Sequence, residues 1–307
     1  MPRFETGILL YNGNKEDNEI TPALRQVLPE VTKEVKDLRV IQTASLVELR
    51  DVCRTHGPET DVFLILGGDG TIHECINSMA DLEKRPVIGI LPAGTCNDFS
   101  RVLDIPQRLD QAAASIMKGE ELQVDAGKTE DTYFINFWGI GLVAQTSFNI
   151  DENQKNRLGV LSYFISALKT VNRSEPFDFS LTIDGEKLEG EAVMILVMNG
   201  QFIGTRKVPM SSLDLQDGKF DVLIVKNSSL AVFREWLAMG RERSVDQKIQ
   251  DISYRQGRHI TIETESKEEV DMDGEIKTET PAQIDVLPGH FTFLGGGPNA
   301  LHTTSDV

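Results

Sequence analysis

The chain has 307 residues, of which 40% are hydrophobic, and a chain of this size is expected to form two domains. Its formal net charge of −17 argues against a nucleic-acid-binding protein, because neutralising phosphates needs clustered Lys and Arg. The N-terminal sequence lacks an apolar signal segment, and no apolar run reaches the roughly 18 residues of a membrane helix. The three cysteines show no CxxC spacing. We therefore expect a soluble cytoplasmic protein.

The first part of the chain alternates strand and helix patterns. Strands are predicted at residues 5–12, 38–43, 61–66 and 86–91. One helix is predicted to begin with Thr21 as its cap and Pro22 in its first turn, and another at the capping-box pair Ser45 and Glu48. A further helix is predicted at residues 109–118. This alternation predicts an α/β domain with a doubly wound parallel sheet, ending near residue 127.

The sequence Gly67-Gly68-Asp69-Gly70-Thr71 follows a buried strand and is typical of a phosphate-binding loop. Its glycines allow the backbone to turn sharply and to approach a ligand. Thr71 and Glu74 have the spacing of a capping box, which predicts that a helix begins here with its free N–H groups facing the loop. An acidic residue among those N–H groups disfavours a bare phosphate. Asp69 is therefore a candidate for handling a magnesium ion that arrives with the phosphate.

A second loop, Gly94-Thr95-Cys96-Asn97-Asp98, follows the next strand. By itself it is a weak signal, because Asn and Asp are ordinary helix-capping residues. In an open α/β sheet, ligands bind outside the carboxyl ends of the strands. The two loops are therefore expected to face one binding site.

After residue 127 the pattern changes to successive strands, which predicts an antiparallel β-sandwich domain over residues 128–294, with a β-barrel as the alternative. Turns are predicted at Asp184-Gly185 and Asp273-Gly274. The predicted strands are residues 132–138, 177–183, 192–198, 220–225, 259–263 and 283–287.

One amphipathic helix is predicted within this second half. Apolar residues from Leu158 to Val171 recur at helical spacing and are flanked by basic residues. Such a helix can pack into a core or lie on a membrane surface, and both interpretations stay open.

Four motifs in their order along the chain resemble the diacylglycerol kinase-like family of lipid kinases, which includes bacterial diacylglycerol kinases and sphingosine kinases. They are residues 67–77 (GGDGTIHECIN), residues 94–101 (GTCNDFSR), Asp217-Gly218 and Asp273-Gly274-Glu275. The resemblance covers nearly the whole chain. It implies ATP and Mg²⁺ as cofactors, and a C-terminal tail, residues 295–307, that returns to the first domain.

Phosphoryl transfer needs a carboxylate to receive the proton of the attacking hydroxyl group. Asp273 and Glu275 are the candidates, and the resemblance implies that Glu275 is the general base, with Asp273 and Asp69 as further catalytic carboxylates. From the residues alone, an acidic, solvated hairpin is the alternative. The resemblance also implies a structural magnesium ion bound by the Asp217 carboxylate and by main-chain oxygens of Asp214 and Lys219, where a simple Asp-Gly turn is the alternative.

The resemblance assigns the remaining site residues to the nucleotide. They are Asn12, Thr43, Gly67, Gly68, Asp69, Gly70, Thr71, Glu74, Gly94, Thr95, Asn97 and Asp98. The family commonly has Asn-Pro-x-Ser-Gly after its first strand, whereas this chain has Asn12-Gly13-Asn14, so that only the asparagine matches.

We therefore expect an ATP- and Mg²⁺-dependent lipid kinase that acts transiently at the membrane surface, with diacylglycerol as the default substrate. Sphingoid bases, phosphatidylglycerol and polyprenols are alternative acceptors. A catalytically silent regulator that binds nucleotide or lipid is the alternative from another class, and the sequence also allows a homodimer.

Overall fold

The computed structural model describes residues 1–13, 17–144, 175–208, 210, 213–226 and 253–296, with the backbone alone at residues 17–19, 276 and 277. These residues form two compact units. The first comprises Met1–Val124 together with the segment that starts at His290, and the second is Asp125–Gly289. The amphipathic helix predicted between Leu158 and Val171 lies outside the described residues.

The first unit is an α/β domain with a parallel sheet, as the sequence predicts. The strand order is β2-β1-β3-β4, so the chain first moves to one side of β1 and then to the other, which makes the sheet doubly wound. Its elements are β1 (Phe4–Asn12), α1 (Asp17–Glu34), β2 (Val35–Thr43), α2 (Leu46–His56), a short 3₁₀ helix (Gly57–Glu59), β3 (Val62–Gly67), α3 (Asp69–Met79), β4 (Val87–Pro92), α4 (Asp98–Val102) and α5 (Leu109–Lys118).

The register of this sheet aligns the carboxyl ends of its strands. Gly67 pairs with Pro92 across β3 and β4, and Asn12 pairs with Thr43 across β1 and β2. All six residues of β3 are buried, which explains its uninterrupted apolar sequence. The loops that follow β3 and β4 therefore leave the sheet side by side.

Two helix starts test the capping signals. At α2 the predicted start is confirmed, because the N-cap Ser45 Oγ accepts a hydrogen bond from the Glu48 N–H at 3.2 Å. The Glu48 carboxylate accepts one at 2.7 Å from the N–H of Ala44, which precedes the N-cap residue, so the reciprocal bond of a standard capping box is shifted by one residue. At α1 the prediction is wrong, because the helix begins at Asp17 and contains Pro22 in its interior. The Thr21-Pro22 pair mimics a helix start, but the helix extends four residues upstream of Thr21.

The second unit is an antiparallel β-sandwich. Its strands are the end of β5 (Glu121–Thr129), β6 (Thr132–Phe134), β7 (Phe137–Gly141), β8 (Phe177–Ile183), β9 (Glu186–Ala192), β10 (Met194–Met198), β11 (Phe202–Ile203), β12 (Arg206–Lys207), β13 (Phe220–Val225), β14 (Ser253–Gly257), β15 (His259–Thr264), β16 (Glu269–Met272), β17 (Glu275–Glu279) and most of β18 (Ala282–Leu294). One layer has the order β18-β15-β8-β9 and the other β14-β13-β10-β7-β16-β17.

A hydrophobic core lies between the two layers. Phe179, Leu181 and Ile262 come from one layer, and Trp138 and Val222 come from the other. The predicted turns at Asp184-Gly185 and Asp273-Gly274 both occur, and in each turn both residues have positive φ, as type I′ hairpin turns require. The fold class expected from the sequence is thus confirmed for both units.

The C-terminal end of β18 belongs to the first unit. Phe293 pairs in parallel with Ile88 of β4. Beyond the strand, the Gly295 N–H donates to the Glu120 carbonyl at 2.9 Å and the Gly296 N–H donates to the Leu103 carbonyl at 2.8 Å. Within the residues that the structure describes, no helix is long and apolar enough to cross a bilayer.

Candidate active site

The phosphate-loop candidate lies between β3 and α3. The helix α3 begins at Asp69, with Gly68 as its extended N-cap residue. Thr71 is therefore inside the first turn, and the prediction that Thr71 and Glu74 form a capping box is wrong. Gly68 has no side chain, so the N–H groups of the first turn receive no side-chain cap. Those N–H groups and the positive end of the helix dipole suit an anion.

Glu74 instead connects two helices. Its carboxylate Oε2 accepts hydrogen bonds from Arg50 Nε at 2.8 Å and from Arg50 Nη2 at 2.7 Å. Glu74 is buried, whereas Arg50 on α2 is partly exposed. This ion pair braces α2 against α3, and Glu74 contributes to the shape of the site through the position of α3.

The second loop packs directly against the first. A Cβ atom added to Gly94 would lie 2.5 Å from Gly68 Cα, and one added to Gly68 would lie 2.8 Å from Gly94 Cα. Side chains at either position would require the backbone to move. The two glycines are thus needed for contact between the loops, a reason distinct from the ligand approach expected from the sequence.

Asn97 is the residue that joins the two loops. It has the left-handed backbone conformation, with φ of 53°, at the N-cap of α4. Its side-chain Oδ1 accepts from the Gly94 N–H at 2.8 Å, and its Nδ2 donates to the Gly94 carbonyl at 3.1 Å. Its own N–H donates to Asp69 Oδ2 at 2.8 Å. One residue therefore fixes the second loop and orients the acid of the first.

Asp69 lies in an unusual electrostatic environment. Burial, followed by the negative charge of Asp98, raises the pKa of Asp69 to about 7, and the N–H groups of Asn97, Phe99 and Asp98 oppose this shift. Its second oxygen, Oδ1, is inaccessible to solvent and has no hydrogen-bond partner of ordinary geometry among the described residues. An orphaned carboxylate oxygen beside a second acid suits a hydrated divalent cation.

The other expected nucleotide residues lie at the same edge of the sheet. Asn12 and Thr43 end β1 and β2, and the Gly13 N–H donates to the Thr43 carbonyl at 2.7 Å. Thr43 is buried, and its Oγ1 donates to the Tyr11 carbonyl at 3.3 Å. Thr95 is exposed, whereas Asp98 is buried. The first unit thus gathers the expected residues at the carboxyl ends of β1 to β4.

In the second unit, Asp273 holds the connection between β6 and β7. Its Oδ2 accepts from the Ile135 N–H at 3.0 Å, and its Oδ1 accepts from the N–H groups of Asn136 and Phe137, both at 2.9 Å. Because both carboxylate oxygens already accept backbone hydrogen bonds, this geometry favours a positioning role for Asp273. Glu275 begins β17 and is partly exposed. Of the two, Glu275 is better suited to receive a proton.

The expected metal loop contains three exposed residues, Asp214, Asp217 and Lys219. Asp214 Oδ1 accepts from the Gln216 N–H at 3.0 Å, and Asp217 Oδ1 accepts from the Lys219 N–H at 2.9 Å. In the described part of the chain, no group of three or more His, Cys, Asp or Glu side chains is arranged to hold a metal ion. A cation here would depend on one carboxylate and on main-chain oxygens, which is the ligand set expected from the sequence.

Asp125, on β5, contacts this loop and is not among the site residues predicted from the sequence. Its carboxylate accepts from the N–H groups of Gly218 and Gly289, both at 2.7 Å. Burial raises the pKa of Asp125, and the charges of Asp217 and Asp214 add to the rise, while the two N–H groups oppose it. A cation would relieve the repulsion among these acids. The only sequence signal was an acid within the largely apolar end of β5.

Comparison with known proteins assigns the chain to a family. Residues 6–129 match the diacylglycerol kinase catalytic domain, and residues 139–295 match the YegS C-terminal NAD kinase beta sandwich-like domain. A relative from Staphylococcus haemolyticus, provisionally named a lipid kinase, is 32% identical over 303 residues, which cover 97% of this chain and 98% of the relative. The chain belongs to the diacylglycerol kinase-like family of lipid kinases.

Solved structures agree with this assignment. A crystal structure described as a diacylglycerol kinase from Bacillus anthracis is 36% identical to this kinase, covers 96% of it and 98% of the other chain, and has a TM-score of 0.85. A second structure from the same organism, provisionally named a diacylglycerol kinase, has a TM-score of 0.88 at 35% identity and covers 98% of both chains. The fold therefore agrees over nearly the whole chain.

Proposed function

We propose that this kinase uses ATP and Mg²⁺ to phosphorylate a lipid hydroxyl group, with diacylglycerol as the default substrate, and that it works in the cytoplasm with transient membrane contact. The observation that carries the proposal is the pair of loops that Gly68, Gly94 and Asn97 lock together around Asp69. Such a pair presents helix N–H groups and an acid at the same place, as binding a nucleotide phosphate together with a cation requires.

In the first unit, the uncapped N–H groups at the start of α3 would bind phosphate oxygens. Asp69 and Asp98 would hold the hydrated magnesium, which supplies charge neutralisation for the transferred phosphate when it is bound. Asn97 keeps the Asp69 carboxylate oriented through the 2.8 Å hydrogen bond from its N–H.

In the second unit, we assign proton transfer to Glu275. Its carboxylate would accept the proton of the lipid hydroxyl as the oxygen attacks phosphorus. Asp273 would position the adjoining turn through its three backbone hydrogen bonds. Asp217, with main-chain oxygens of Asp214 and Lys219, would hold a structural cation that neutralises the charge around Asp125.

A radiolabelled-ATP assay tests this function. The purified chain is incubated with Mg²⁺ and with mixed micelles that contain diacylglycerol, a sphingoid base, phosphatidylglycerol or a polyprenol. We expect label in diacylglycerol, and loss of that label in the Asp69→Asn and Glu275→Gln variants. If only another lipid is labelled, that lipid is the substrate instead of diacylglycerol. Binding of ATP without label in any lipid would support the catalytically silent alternative. Gel filtration of the same preparation tests for a homodimer.

A further inference from the structure

A short hairpin in the second unit carries two exposed cations on this acidic protein. We call residues 202–207 the basic hairpin. Its strands β11 and β12 pair Phe202 with Lys207 and Ile203 with Arg206. Arg206 and Lys207 are exposed, and in the described part of the chain neither forms an ion pair with a carboxylate. On a chain with a formal net charge of −17, two adjacent cations without a carboxylate partner form a local positive group that can attract an anionic ligand.

Two other lysines of the same unit show the contrast. Lys187 lies 2.5 Å from a Glu189 carboxylate oxygen, and Lys267 lies 2.9 Å from one of Glu279. Their charges are neutralised locally. Among the described residues, no carboxylate forms an ion pair with Arg206 or Lys207.

The basic hairpin is fixed to the unit at its base. Ile203 and Val208 are buried in a hydrophobic cluster on the β-sandwich. The Val208 N–H donates to the Gln201 carbonyl at 2.7 Å. A pre-ordered base lowers the conformational entropy lost when the two cations meet a ligand.

The turn of the basic hairpin is strained. Gly204 and Thr205 both have positive φ, at 56° and 71°. Glycine tolerates this conformation, but a β-branched residue such as Thr205 rarely adopts it. Strained backbone of this kind concentrates at sites that contact ligands.

Asn136 connects the basic hairpin to the Asp273 turn. Its N–H donates to Asp273 Oδ1 at 2.9 Å, and its side-chain Nδ2 donates to the Phe202 carbonyl at 2.8 Å. Asn136 is itself buried. The position of the two cations is therefore set by the same residue that is bound to the candidate catalytic turn.

We propose that the basic hairpin is the surface through which this chain binds an anionic lipid bilayer. The inference rests on the proposed function, because a lipid kinase must reach a substrate held in a membrane. A protein of this charge is repelled by an anionic surface as a whole, so that attraction must come from a local group of cations. Each Arg or Lys at such a surface increases affinity by about fivefold, so the pair contributes on the order of 25-fold.

Vesicle sedimentation with the full chain tests the proposal. We would compare vesicles of mixed phosphatidylglycerol and phosphatidylcholine with vesicles of phosphatidylcholine alone. The variant R206E/K207E should lose at least about 25-fold in affinity for the anionic vesicles. The control K187E/K267E, which changes the net charge equally within the same unit, should lose much less. Thermal unfolding verifies that both variants are folded, and R206Q/K207Q replaces the reversal variant if that variant is unstable.

Two outcomes would overturn the proposal. They are equal binding of the wild type to neutral and anionic vesicles, and equal losses of affinity in the two charge-reversal variants. Vesicle binding is measured without ATP, so it is separate from phosphoryl transfer. A chain that binds anionic vesicles through the basic hairpin but labels no lipid would refute the proposed function and leave this inference standing.

Discussion

The environment of Asp69 predicts that the acid needed for activity destabilises the protein when no cation is bound. In the folded protein its pKa is raised from 3.8 to about 7. The folded state then binds more protons than the unfolded state between these two values. The contribution of Asp69 to the stability of the wild type should therefore fall as the pH rises from about 4 through about 7, by about 4–5 kcal/mol in total, since one pKa unit corresponds to about 1.4 kcal/mol.

The Asp69→Asn variant removes this titration and keeps a carbonyl oxygen that can accept the hydrogen bond from the Asn97 N–H. In metal-free buffer, the stability of the variant relative to the wild type should rise by about 2 kcal/mol between about pH 5.5 and about pH 8, as linkage predicts for this shift. Urea unfolding at the two pH values measures the change. Phosphorylation activity should be nearly abolished in the same variant.

The exposed Asp37 in the same unit provides the control, because Asp37→Asn should show little change in relative stability between the two pH values. A stability difference for Asp69→Asn that is independent of pH would refute the argument. So would a variant that is less stable than the wild type at about pH 8, because the buried charge would then be compensated within the protein.

Three further changes test other parts of the site. Glu275→Gln should lower kcat by about 10²- to 10⁴-fold while ATP binding measured by calorimetry is unchanged, whereas the exposed Glu269→Gln should be near neutral. Gly94→Val should lower the unfolding free energy by about 2 kcal/mol or more, because its Cβ would meet Gly68 Cα at 2.5 Å. It should also lower the affinity for ATP. A melting temperature equal to that of the wild type would contradict this prediction. Arg50→Met should cost about 1–3 kcal/mol in urea unfolding by removing the guanidinium group that donates to the buried Glu74 carboxylate, and Glu74→Gln in the same chain should recover part of it.

The sheet and the loops of the first unit could be predicted from the sequence because their signals are local. Buried strands gave continuous apolar runs, and the glycine-rich sequences marked where those strands end. The start of α1 was misplaced because Thr21 and Pro22 carry a start signal inside a longer helix. Local signals identify elements well, but they do not decide between two allowed boundaries.

The residues that organise the sites were harder to predict, because their partners are distant in sequence. Asp125 accepts hydrogen bonds from Gly218 and Gly289, and Asn136 joins Asp273 to Phe202. No spacing rule connects such positions. The contact between Gly68 and Gly94 was hidden for the same reason, since each glycine by itself predicts only a flexible turn.

That contact also has a consequence for the thermodynamics of nucleotide binding. With Gly68 and Gly94 touching through their backbones and Asn97 bonded to both loops, neither loop can shift without the other. The loops are then already ordered in the folded protein, so nucleotide binding does not incur the loss of conformational entropy that ordering them would require. Nucleotide association in the first unit should thus behave as docking into a preformed cradle, with little change in the hydrogen exchange of residues 67–71 and 94–98 beyond the amides that the ligand itself covers.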